Sequence, residues 1–105
     1  MKIDDEWFKK NKFLFEELPV GIRYSKEVNG IKPAFSLVFY KYDKRWSDMV
    51  NKKAWFCSIT IGGLEVSADY GETAEEALGK IFDKLQDYFA NLTTMIYEFM
   101  KEDEK

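Results

Sequence analysis

The chain has 105 residues, 46% apolar and 33% charged, with a formal charge of −3 and no histidine. That length supports one domain, residues 1–105, built on one modest core. Without histidine there is no imidazole metal ligand and no His-activated nucleophile, and the single cysteine, Cys57, removes an internal disulfide and any Cys-cluster zinc site.

Residues 4–17 predict a first helix capped by Asp4 or Asp5. Ile3, Trp7, Leu14 and Leu18 share one helical face, and Pro19 ends the element. Val20–Glu27 alternates as a strand, with Val20, Ile22 and Tyr24 on one side. Asn29-Gly30 is a strong hairpin signal, because both residues accept positive φ. The next strand runs from about Ala34 to Tyr42, with Phe35, Leu37 and Phe39 on one face. Pro33 cannot donate a ladder hydrogen bond, so a wider loop or a disturbed first pair is expected at this turn. Residues 41–53 (KYDKRWSDMVNKK) show no alternation and predict a long basic connection with Trp46 near its middle.

Ala54–Ile61 and Leu64–Tyr70 flank Gly62-Gly63 and predict a second hairpin. A two-residue turn pairs Ile61 with Leu64, Ile59 with Val66, Cys57 with Ala68 and Trp55 with Tyr70, all on one face. Cys57 then reads as a small core residue rather than a nucleophile. Thr73-Ala74-Glu75-Glu76 is a capping box that opens a last helix. Ala74, Leu78, Ile81, Leu85, Tyr88, Leu92, Met95 and Phe99 follow at spacings of four and three. Asn91, Thr93 and Thr94, weak helix formers, mark where it would break. Unbroken from 74 to 100, it spans roughly 40 Å and outruns an eight-residue strand of about 27 Å. The order α-β-β-β-β-α predicts an α+β fold: a four-stranded antiparallel meander with an N-terminal helix and a long C-terminal helix.

The stretch from Trp55 to Gln86, with Gly71, Thr73, Glu75, Glu76, Ala77 and Leu78 at the strand-to-helix junction, resembles the core of HicB-type antitoxins. That resemblance implies a β-β-β-α unit and a small toxin as partner. Gly62-Gly63 stands where that family has a Pro-rich segment, and no appended DNA-binding unit is present. The helix–strands–helix order is also similar to double-stranded-RNA-binding domains, but Glu72, Glu75 and Glu76 replace their basic cluster. In composition the chain resembles the small accessory proteins of phages and prophages.

Charge is unevenly spread. Residues 19–53 carry eight basic and three acidic groups, whereas residues 71–105 carry four basic and nine acidic. Either the two segments attract each other within the fold, or the basic one meets an acidic partner. Lys41, Lys44, Arg45, Trp46, Lys52 and Lys53 form the candidate partner-binding cluster, because Trp and Arg dominate interface hot spots. Met95, Ile96, Tyr97, Phe99 and Met100 are the candidate self-association residues, too apolar for a free helix end. No spacing suggests a catalytic, metal or cofactor site. The expected function is that of a non-catalytic interaction protein, a phage or prophage accessory factor acting on a host protein. An antitoxin and a single-stranded nucleic-acid binder using residues 19–53 are the alternatives. No apolar run nears the ~18–20 residues of a membrane span, and Met1–Glu6 lacks a secretory apolar stretch. With one thiol, these features lead to a cytoplasmic expectation.

Overall fold

The computed structural model describes residues 2–30, 32–50 and 52–103. Its elements are α1 (Asp5–Lys10), β1 (Leu14–Leu18), β2 (Gly21–Val28), β3 (Phe35–Tyr42), α2 (Lys44–Met49), β4 (Trp55–Ile61), β5 (Leu64–Gly71) and α3 (Ala74–Asp103). The five strands form one antiparallel sheet in the order β1-β2-β3-β4-β5. The α+β class and the long last helix are as expected, whereas the sheet has five strands rather than four.

The extra strand comes from the N-terminal segment. Asp4 caps α1 as expected, accepting from the Trp7 amide at 2.9 Å. The helix stops at Lys10, however, and does not reach residue 17. Lys12 takes a left-handed φ of 60°, which reverses the chain. Phe13 thereby joins Phe8 at 5.2 Å between ring centroids. In a continuous helix, five residues amount to roughly 500°, which would point Phe13 away from Phe8. Leu14–Leu18 then pairs with β2 through a two-residue turn at Pro19-Val20, Leu18 facing Gly21. Leu14, placed by helical periodicity on the apolar face, is 74% exposed.

β2 and β3 are joined by a wide loop, with Val28 opposite Phe35, as the proline at position 33 requires. Gly62 and Gly63 both take positive φ in the β4–β5 turn, and Ile61 faces Leu64. Beyond Thr60↔Glu65 the expected register fails. A bulge at Val66 sets Ile59 against Ser67, Cys57 against Asp69 and Trp55 against Gly71. Ala68 and Tyr70 consequently lie on the other face of the sheet. The reason is the closeness of α3. A Cβ at position 71 would come within 2.5 Å of the Ala77 nitrogen. Ser67, buried beneath α3, donates to the Ile81 carbonyl at 3.2 Å. A tyrosine ring has no room where Gly71 sits.

The core lies between one sheet face and the two outer helices. Phe8 of α1 stacks on Tyr24 at 3.8 Å and meets Phe39 and Trp55. Ala74, Ala77, Leu78, Ile81 and Leu85 of α3 cover β4 and β5. Cys57 is fully buried, and burial pushes its thiol up to about 12, so it remains protonated at neutral pH. The Tyr24 hydroxyl donates to Asp5 at 2.6 Å; burial first, and then that carboxylate, raise the phenol to about 12.

The Thr73 hydroxyl accepts the Glu76 amide at 3.1 Å, one arm of the capping box. The Glu76 carboxylate turns instead to Lys53 at 2.9 Å and Lys80 at 3.3 Å. Glu75 accepts the Ile3 backbone N–H, which ties the N-terminal segment to the start of α3 and holds this carboxyl below its usual value of 4.5. Its contribution to stability is therefore present in full above that value and is lost as pH falls through the lower folded-state pKa. Urea midpoints of the wild type and Glu75→Gln should differ at pH 6 and converge progressively below pH ~4. A difference that persists unchanged at pH 3 would remove the carboxylate from this role.

Candidate interaction surface

Strand alternation places Arg23, Ser25, Val38, Tyr40, Tyr42, Phe56, Ser58, Ala68 and Tyr70 on the sheet face away from α1 and α3. Among the described residues, only the short α2 folds toward it. Asp43 precedes α2 without a side-chain cap, and Ser47 donates back to the Lys44 carbonyl at 3.1 Å. So short a helix has little stability of its own. It is held by the Asp43 N–H, which donates to the Val20 carbonyl at 2.8 Å, by the buried Ser47, and by Trp46, stacked on Tyr42 at 4.2 Å and 28°.

From Trp46 the rings continue across three strands. Tyr42 lies parallel to Tyr40 at 5.8 Å, Tyr40 meets Phe56 at 6.1 Å, and Phe56 meets Tyr70 at 4.8 Å. All five rings are half-buried, so their outer surfaces remain in water. Two cations flank the row: the Arg23 guanidinium, 5.8 Å from the Tyr40 ring, and the Lys52 ammonium, 5.3 Å from the Tyr70 ring. Arg23 also approaches Glu16 at 3.8 Å. Burial raises the Tyr42 phenol above its ordinary value, and its neighbours Tyr70 and Tyr40 add to the effect. The phenol is thus uncharged at neutral pH. The row can offer ring faces, phenol hydroxyls and two fixed positive charges.

The six residues of the basic cluster separate in three dimensions. Trp46 and Lys52 belong to the aromatic row, and Lys44 and Arg45 are exposed on α2 beside it. Lys41 projects to the helix-covered face, over the Trp55 ring at 5.6 Å. Lys53 is paired with Glu76. That pair is a direct contact between the basic middle and the acidic last helix. Tyr40, Tyr42, Phe56 and Tyr70 lie outside the cluster that the sequence marks. The usable signal was the second apolar phase of β3, with Tyr40 and Tyr42 two residues apart.

α3 supplies the other exposed surface. It runs unbroken through Thr93 and Thr94, whose hydroxyls return to the Phe89 and Ala90 carbonyls at 2.8 and 3.0 Å. Among the described side chains Leu85 is the last buried one, and residues 86–101 are all exposed. Met95, Ile96, Phe99 and Met100 remain on the side that packs on the sheet, while Tyr97 lies about 140° round the helix from that stripe's centre. No helix among the described residues is long and apolar enough to cross a membrane. Comparison with known proteins finds no matching family model, no matching curated protein and no matching solved structure.

Proposed function

We propose that this chain is a non-catalytic interaction protein that binds a partner protein through the open sheet face centred on Trp46 and Tyr42. The supporting observation is the continuous five-ring row, half in water, on the face that neither α1 nor α3 covers. Aromatic rings bring large contact area at small entropic cost, and they recur in interface hot spots with arginine. Lys44 and Arg45 add positive charge at the rim, which favours a partner with an acidic patch. A host protein met by a phage or prophage factor is one such partner.

The triple variant Trp46→Ala, Lys44→Ala, Arg45→Ala should keep the sheet and α3 in its circular dichroism, giving up at most the six residues of α2, and should still unfold cooperatively in urea. It should lose, by more than tenfold, whichever protein the wild type captures. Equal capture by the two proteins would move the site elsewhere.

The rings with cations beside them also favour a second reading, a stacking platform for single-stranded nucleic acid. Under that reading, filter retention of an oligonucleotide falls steeply with salt and is lost in the same variant. Absence of retention at low salt excludes it.

A further inference from the structure

We propose that the projecting half of α3 is the interface of an antiparallel homodimer, each copy's overhang lying along the other's. This interface would be separate from the open sheet face.

α3 has 30 residues and is about 45 Å long, and the molecule is 59 Å in its longest dimension. Its apolar residues keep one stripe from end to end. Leu78, Ile81 and Leu85 bury it against the sheet, and Tyr88, Leu92, Met95 and Phe99 continue it in the same four-three spacing. Phe89 and Ile96 broaden it. These last six side chains are 41–68% exposed. At roughly 100 Å² of free surface each, they leave about 600 Å² bare per copy, at the upper limit for a monomer's largest apolar patch. A pair of copies would cover about 1,200 Å², which reaches the range of stable specific interfaces.

The orientation follows from the collinearity of the stripe. Its first half already faces the sheet. A partner helix seated parallel on the second half would carry its own first half straight into that sheet, about 10 Å below the α3 axis. An antiparallel partner runs the other way, so only its last turn reaches the edge of the opposite sheet. The two-fold axis makes the contact self-complementary and closed. Facing alternate layers of the stripe sets Leu92 against the partner copy's Met95 and Tyr88 against its Phe99. That register uses the whole overhang. A parallel pair has no register that avoids the sheet.

Light scattering should return twice the chain mass of 12.4 kDa, and Met95→Glu should return 12.4 kDa with unchanged circular dichroism. The substitution is at an exposed position, so folding is preserved. Orientation is read from a nitroxide on Gly79→Cys, a helical position with open space around it, while the fully buried Cys57 stays unlabelled. Antiparallel copies place the two labels about 45–50 Å apart, and parallel copies place them under ~30 Å apart. A wild-type monomer, a dimer unaffected by Met95→Glu, or a short label distance would each overturn the proposal.

Discussion

Phe8→Ala should destabilise the protein by about 3–5 kcal/mol, read as a large drop in urea midpoint at unchanged slope. Phe8 is 1% exposed and sits at the centre of a ring cluster. It stacks on Tyr24 at 3.8 Å and 4°, and it lies 5.1, 5.2 and 5.3 Å from Phe39, Phe13 and Trp7. Removing the ring takes away its burial and leaves a cavity whose walls are other rings, held by strands and helix. Such walls collapse poorly, so the loss should lie in the upper part of the usual range. A domain of this size holds roughly 5–15 kcal/mol in total. The variant should therefore be close to unfolding at 37 °C. Phe8→Leu, which keeps most of the volume, should lose about half as much or less. A loss under ~1.5 kcal/mol for the alanine variant would show that α1 is a peripheral clip rather than part of the core.

The second large effect is expected at Gly21. This residue pairs with Leu18 on one side and Tyr42 on the other, at a φ of +154°. A Cβ there would overlap the Lys41 carbonyl oxygen and lie 2.9 Å from the Tyr42 Cα. Both obstacles are backbone, so no side chain can swing aside. Gly21→Ala combines an unfavourable dihedral with overpacking and should cost about 2–5 kcal/mol. The damage should centre on the β2–β3 end beneath Trp46, giving a change in tryptophan fluorescence before global unfolding. Gly79→Ala is the contrast: its Cβ meets open space in a helix interior, and it should gain up to about 1 kcal/mol. If the two alanine variants were equally stable, the close approach at Gly21 would be excluded.

Much of this architecture was legible in the residues. Strands β2 to β5, the wide loop at Pro33, the Gly62-Gly63 turn, the Thr73 cap and the overhang of α3 all follow from period, turn chemistry or length. What was not legible depends on distant contacts. Leu14-Phe15-Glu16-Glu17-Leu18 suits a helix or a strand equally well, since short segments carry too few periods to decide. The outcome was decided by Phe13 reaching Phe8, a contact set by packing. α2 lacks its own side-chain cap and rests on contacts with distant residues, Asp43 with Val20 and Trp46 with Tyr42. The Val66 bulge was hidden because Ala68 and Tyr70 look as apolar as core residues. The close approach of α3 at Gly71, where a Cβ would meet the Ala77 nitrogen, selects the other register. The same blind spot concealed the aromatic row. In a strand apolar on both faces, composition does not say which face is covered.

The two outer strands bear on how copies of this chain can meet. A second copy laid antiparallel along β1 in the centred register would oppose Glu16 to its own image, which is unfavourable. At the far rim, the Lys80 and Lys84 ammoniums donate to the Tyr70 and Ala68 carbonyls of β5, at 3.1 and 2.9 Å. A strand approaching there would have to displace two cations. Growth by strand addition, the usual route from an open sheet to a fibre, is thus obstructed at β5 and disfavoured in the centred register at β1. Under the proposed helix pairing, ordered assembly would instead use α3 and close after two copies.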